Sequence, residues 1–222
     1  HDIYSISEIR VICCDKQSSE NYFDEIDKYY TKMIYDHFRT VGFYFSYTYD
    51  LTRPLEKDVD HCKLNCAYSS LVEFNDKYTW NRHMLESVIH IKEVHQYFLP
   101  IIHGYIGICE FQKPQHFSMI LISRRNTRRN GTRYFCRGVD DRGNVANYVE
   151  TELILITETR AFSFVQVRGS IPLFWSQYPN LTYKPQINVD LNLNQFDHIK
   201  KHVDREIFER KQETILNLVD NK

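Results

Sequence analysis

Glycine is scarce in this 222-residue chain, with only 7 positions, and proline is scarcer still at 6. That excludes collagen-like repeats and glycine-rich linker character. Net charge is almost absent: 28 Lys plus Arg against 29 Asp plus Glu leave −1. A general nucleic-acid coat protein is excluded on that balance, and any anion-binding role has to come from a local cluster. Long apolar runs are missing too. Met119–Ile122 is typical of those present, far short of the roughly 20 residues that span a bilayer. No internal repeat and no low-complexity segment occurs. The chain opens on His1, as expected of a trimmed piece of a longer protein, and Asp2 and Glu8 interrupt the opening segment, so no signal peptide is expected.

What remains is enough apolar material, 42% of residues, to bury a core as one large domain or two small ones. The six cysteines (Cys13, Cys14, Cys62, Cys66, Cys109 and Cys136) are irregularly spaced. A chain of this size folds without disulfides, so reduced thiols are expected. The sequons at Asn130 and Asn180 are read as silent.

Alternation at Ile9, Val11 and Cys13 predicts an opening strand, and Phe23, Ile26, Tyr30, Met33 and Phe38 predict an amphipathic helix over 22–38. Aromatics at every second position predict a half-buried strand over Phe43–Asp50. Residues 53–76 read as a polar loop, and Trp80, Met84, Leu85 and Val88 as a second helix. Strands are predicted at 101–111, 117–125, 133–138, 149–157 and 161–168, separated by turn-forming residues. A final helix over 195–211 carries Phe196, Ile199, Val203 and Ile207 on one stripe, and 214–219 reads as a buried strand. Mixed strands followed by strand–helix alternation predict an α+β or α/β fold.

Charge concentrates in one window. From Arg124 to Arg142 there are seven arginines (Arg124, Arg125, Arg128, Arg129, Arg133, Arg137 and Arg142) against Asp140 and Asp141, a net +5. Arginine suits bidentate contact with phosphate oxygens. Arg128, Arg129 and Asn130 are predicted to form an exposed tip. Arg124 and Arg125 end an apolar strand, with one of the two expected to turn inward. A solvated basic face is the plain alternative for the whole cluster.

The same window carries a resemblance. Leu121–Arg125 leads into Gly131–Tyr134, then Arg137–Asp140, then Gly143–Glu152, and after a gap Ser163–Gln177. Phe43–Thr52, Tyr78–Asn81 and His103–Gly104 upstream, and Tyr183–Pro185 and Asn217–Val219 downstream, follow the same order. Together these resemble the Sac-domain phosphoinositide phosphatases over nearly the whole chain. The resemblance implies an N-terminal subdomain of strands and helices over 1–142, and the start of an α/β catalytic subdomain over 143–222.

It further implies removal of phosphate from phosphoinositides on the cytosolic face of an intracellular membrane (endoplasmic reticulum, Golgi or endosome), through a cysteinyl-phosphate on a Cys-x5-Arg loop, with no metal or other cofactor. That family's Arg-Thr-Asn-Cys-x-Asp-Cys-Leu-Asp-Arg-Thr type run is not among these residues, so no catalytic residue is expected here and the fragment alone is expected to be inactive. Expected partners are phosphoinositide lipids at a membrane surface and a protein partner of the N-terminal subdomain, with no nucleic acid.

Arg124, Arg125, Arg128, Arg129 and Arg133 are the candidates for phosphate or membrane contact. Arg137, Asp140, Asn144, Asn147, Glu150, Glu152, Arg168, Gly169 and Trp175 fall in family motifs and are expected to support the subdomain seam. Gly169 is expected to permit a tight turn, and Pro172 to hold an extended exit that carries Phe174 and Trp175 into the core.

Two decoys occur. Cys136 to Arg142 has Cys-x5-Arg spacing, but Asp140 and Asp141 within it would repel phosphate. His61-Cys62-x3-Cys66, and the helical pair His198 and His202, suggest metal ligation, yet neither completes a ligand set. Two readings compete with the phosphatase assignment: a non-catalytic module that recruits a membrane or a protein partner, and an inactive pseudophosphatase.

Overall fold

The computed structural model describes residues 2–12, 25–55, 74–112, 116–132, 134–190 and 194–218. The chain divides into two compact units, one of residues 1–127 with 150–166, the other of residues 128–149 with 167–222. The architecture is α+β.

The first unit is built on a six-stranded antiparallel sheet in sequence order: β1 (Ile3–Ser5), β2 (Phe43–Ser46), β3 (Ile102–Phe111), β4 (Phe117–Arg125), β5 (Val149–Thr157) and β6 (Ala161–Arg168). β3 and β4 form a long pairing, with Ile106 opposite Ile122 and Ile108 opposite Ile120. Side chains alternate across the pleat, so this register puts the isoleucines on one face. There Ile102, Ile122, Ile154 and Leu51 form a closed core. Burying each stabilises by roughly 1.5–3 kcal/mol. Gly104 faces Arg124 across the ladder, and a Cβ at this glycine would collide with the Ser123 carbonyl, so the close approach requires glycine. A smaller cluster of Phe74, Leu85 and Ile89 surrounds helix α2 (Arg82–Leu85).

Several expectations are corrected in this unit. The opening strand is Ile3–Ser5, because Tyr4 and its neighbours find ladder partners on β2 (Tyr4 opposite Phe45), while 6–12 forms no strand. Helix α1 (Glu25–Phe38) forms, but Ile26, Tyr30 and Met33 are half or more exposed. Its last turn is anchored where His37 and Phe38 pack on Phe43 at ring distances of 5.1 and 4.9 Å. The aromatic strand ends at Ser46, whose hydroxyl accepts the N–H groups of Thr48 and Tyr49 and turns the chain. β3 to β6 match the predicted segments closely. Most of the predicted loop over 53–76 lies outside the described residues.

The second unit holds the hairpin of β7 (Trp175–Gln177) and β8 (Ile187–Val189) and the helix α3 (Gln195–Arg210). The predicted strand over 133–138 is a turn in its described part. Tyr134 and Gly138 have φ of +75° and +68°, which an extended strand does not allow. Helix α3 occupies its predicted span with a different inward line. Its one buried residue is Glu206, whereas Phe196 and Ile207 are exposed. The cause is Tyr148, whose buried hydroxyl donates to Glu206 at 2.6 Å, with Arg210 Nε bonded to the same carboxylate at 3.3 Å. The predicted strand at the end is absent over 214–218, where Ile215, Leu216 and Leu218 are exposed; Val219 lies outside the described residues.

Candidate functional site

Among the described residues the arginine window separates into one interior arginine and others that are half-buried or exposed. On β4, Ile120, Ile122 and Arg124 share parity, so Arg124 points to the core side, and its side chain is 0% exposed. Its guanidinium is fully engaged. Nε donates to the Leu51 carbonyl at 2.5 Å, Nη1 to Glu150 at 3.2 Å, and Nη2 to Glu152 at 2.6 Å and to the Arg53 carbonyl at 2.9 Å. Both carboxylates are enclosed and have further donors: Tyr78 to Glu150, and Leu55 N–H and Ser163 to Glu152. The cluster is a structural knot joining β4, β5, β6 and the segment after β2. Arg124 is therefore corrected from a membrane-contact candidate to a core residue. Nearby Asp50 accepts two bonds from Thr52; burial pushes its carboxyl above the ordinary range, against the pull of those bonds and of Arg53 and Arg124.

Arg125 has the opposite parity and is exposed, its carbonyl accepting the Trp80 indole N–H at 2.9 Å. His103 packs on Phe43 and Trp80, at ring distances of 4.5 and 4.8 Å, and its Nδ1 is buried without a partner. Burial, with Arg125 and His37 nearby, pulls its pKa below the usual imidazole value despite a bond with the Val41 backbone.

Within the second unit Arg128 is exposed. Arg129 and Asn130 are half-buried, which corrects their placement on an exposed tip. Arg129 has φ +51° and donates from Nη2 to the Arg137 carbonyl at 2.6 Å. Asn147, also at φ +51°, accepts the Gly131 N–H at 3.3 Å and donates its backbone N–H to Arg129. Arg133 lies outside the described residues.

Asp140 organises the next loop. Its carboxylate accepts the Arg142 N–H at 3.0 Å, the Asn144 N–H at 2.7 Å and the Asn144 side chain at 2.8 Å. Burial raises its pKa, but these bonds and the charge of Arg129 outweigh that and leave it below the usual carboxylate range. Arg205 from α3 closes the loop on the Asn144 side chain and the Arg142 carbonyl.

The Arg168–Trp175 stretch folds against this loop. Ser170 accepts the Gly138 N–H at 2.8 Å and donates its own N–H to Ala146. Gly169 is needed for close packing rather than for a turn: its φ is not positive, and a Cβ would stand 2.7 Å from Val145 Cγ2. Arg168 is exposed at the end of β6. Phe174 and Trp175 are half-buried rather than core. Trp175 lies 5.3 Å from the Arg137 guanidinium and Tyr134 lies 5.4 Å from it, so two rings flank one cation. These three residues, with Arg129, Asp140 and Ser176, line an open groove of about 570 Å³.

The Cys-x5-Arg look-alike does not form a phosphate loop. Such a loop needs its backbone N–H groups converging on an empty anion seat. Here the Arg142 and Asn144 N–H groups converge on Asp140, and the Cys136 thiol is bonded to the Arg129 carbonyl at 2.9 Å. Among the described residues no cluster of His, Cys, Asp and Glu could hold a metal. His198 packs on Phe174 at 4.4 Å and His202 on Tyr148 at 6.3 Å. His61, Cys62 and Cys66 lie outside the described residues.

Sequence reasoning missed the Tyr148–Glu206–Arg210 cluster. Its available signal was the i,i+4 spacing of Glu206 and Arg210. It also missed the ring pair around Arg137, which joins residues 41 positions apart and has no local signature.

Comparison with known proteins agrees with the resemblance to the Sac-domain family. The family model described as the SacI homology domain matches residues 1–222. Phosphatidylinositol-3-phosphatase SAC1-B of Danio rerio is 37% identical over 225 residues, covering 100% of this chain and 37% of that protein. Phosphatidylinositol-3-phosphatase SAC1 of Saccharomyces cerevisiae is 36% identical over 210 residues, covering 90% of this chain and 33% of that protein. Phosphoinositide phosphatase SAC6 of Arabidopsis thaliana is 37% identical over 196 residues, covering 85% and 32%. The chain thus spans about a third of the length of these curated relatives. On the match across its full length, the chain belongs to the SacI homology domain family.

Proposed function

We propose that this chain is part of a phosphoinositide phosphatase, a phosphoric monoester hydrolase of membrane lipids, and that the nucleophile is not among its residues. The observation that carries this is the family match over residues 1–222, with relatives named as phosphatidylinositol phosphatases. The seat that phosphate would need beside Cys136 is filled by Asp140, which supports placing the chemistry elsewhere. Hydrolysis proceeds through a cysteinyl-phosphate on a Cys-x5-Arg loop outside these residues. The thiolate displaces the inositol oxygen from phosphorus, and water then releases phosphate from sulfur.

In this reading the protein works on the cytosolic face of an intracellular membrane. Among the described residues no helix is long and apolar enough to cross a membrane. Surface arginines supply contact with anionic head groups, each contributing ~1 kcal/mol near the surface. Arg125 and Arg128 are the exposed candidates. Vesicle pelleting tests this contact. Vesicles containing phosphatidylinositol phosphate should retain the chain, and Arg125→Glu with Arg128→Glu should weaken retention about tenfold or more. Unchanged retention would remove both arginines from the proposal.

A further inference from the structure

Buried polar groups in folded proteins nearly always have partners, and exceptions mark strain, a functional role, or a place taken by ordered water, an ion or a ligand. In the second unit the exceptions concentrate. Arg129 Nε, Arg137 Nε and both side-chain polar atoms of Asn130 are buried without a hydrogen bond. They fall within nine consecutive positions. The same stretch holds Arg129 and Tyr134 at positive φ, with Asn147 bonded against it at positive φ as well. Each such residue stores roughly 1–3 kcal/mol, and such strain clusters at binding sites.

The groove beside these residues has a consistent chemistry. Its volume of about 570 Å³ lies in the range of small-molecule sites. Arg137 is clamped between the Tyr134 and Trp175 rings, so its planar fork is pre-oriented. No acceptor among the described residues takes its guanidinium N–H groups. Asp140 and Asp141 also line the groove; the Asp140 carboxylate is turned into its own loop by three donors, and Asp141 is exposed, so its charge is set against those of Arg129 and Arg137. Ser176 and Gln177 add a hydroxyl and an amide to the wall.

We propose that this groove is a second site for a phosphate monoester, separate from the site of hydrolysis, with Arg137 and Arg129 donating to the phosphate oxygens and Trp175 and Tyr134 walling the group that carries it. The site stands on this unit's own residues, so it does not depend on where the hydrolytic cysteine lies. The phosphate can be borne by a lipid head group or by a soluble ester, which share the chemistry.

The test uses the 222-residue chain and reads the arginine Nε–H and tryptophan indole signals by heteronuclear NMR. The probes are inorganic phosphate, myo-inositol 4-phosphate, and vesicles with or without phosphatidylinositol 4-phosphate. The Arg129 and Arg137 Nε–H signals and the Trp175 indole should shift together and saturably, while Arg160 stays still. Arg137→Gln should weaken binding about tenfold or more. Arg137→Lys should recover part of it, since charge returns without the fork. Saturation by the soluble ester assigns the site to phosphate as such; a response to lipid vesicles alone assigns it to a membrane-borne head group; either supports the site. The wild-type signals decide the question even if Arg137→Gln fails to fold. No shift at either arginine with any probe, or binding unaltered by both Arg129→Gln and Arg137→Gln, would overturn the proposal.

Discussion

Replacing Arg124 with methionine is the sharpest perturbation of the fold. The guanidinium makes four hydrogen bonds, two to carbonyls and two to the carboxylates of Glu150 and Glu152. All three side chains are within 3% of full enclosure. Methionine keeps much of the volume and removes the charge. Two buried carboxylates then face each other without a cation, and breaking a buried ion cluster in this way costs about 3–5 kcal/mol. Against a domain stability of 5–15 kcal/mol, that is a large fraction. At about 2–4 °C per kcal/mol for a chain of this size, the melting temperature should fall by roughly 6–20 °C.

Urea unfolding, followed by tryptophan fluorescence and far-ultraviolet circular dichroism, gives the free energy. The decisive arm is a cycle. Glu150→Gln with Glu152→Gln, added to Arg124→Met, should recover a good part of the loss, because the penalty comes from uncompensated charge rather than lost packing. A loss under about 1 kcal/mol, or no recovery in the combined variant, would rule out uncompensated charge as the source of the penalty.

Other consequences are independent of that cluster. Gly138→Ala should destabilise the second unit by about 1–3 kcal/mol, since its φ is +68° and the new Cβ would collide with the Leu173 carbonyl; limited proteolysis across 128–149 reads it. Asp140 has a depressed pKa in the fold, so its contribution is present above its ordinary value of 3.8 and lost as pH falls through the lowered value; Asp140→Asn should flatten that acid limb in thermal scans. His103 is likewise depressed from 6.5, so the fold favours its neutral form. Stability should decline as pH drops below 6.5, and His103→Gln should remove that part of the decline.

Much of the first unit was legible because its signals are long and periodic. The β3 to β6 segments run 8 to 10 residues, and the position of Arg124 and Arg125 at the end of an apolar strand already sends one of the two inward. Helix spans were legible as well, but not the faces they bury. α1 turns its apolar stripe outward, and α3 buries Glu206 because a tyrosine from elsewhere in the chain needs an acceptor. The segment 134–138 reads as a strand by composition. Its positive-φ positions make it a turn, and backbone sign is not written in hydropathy. The rest of the candidate site was legible as charge, not as geometry: seven nearby arginines gave no hint that one of them, Arg137, is flanked by two rings.

On the proposed function, these residues recognise a phosphorylated lipid surface without carrying the nucleophile. The decisive measurement is phosphate release from a soluble short-chain phosphatidylinositol 4-phosphate by the 222-residue chain, beside vesicle binding by the same preparation. The expected result is binding with no release above the buffer rate, unchanged by Cys136→Ser. Turnover that disappears in Cys136→Ser would contradict the proposal, because it would place the chemistry on a thiol whose neighbouring anion seat is occupied by Asp140.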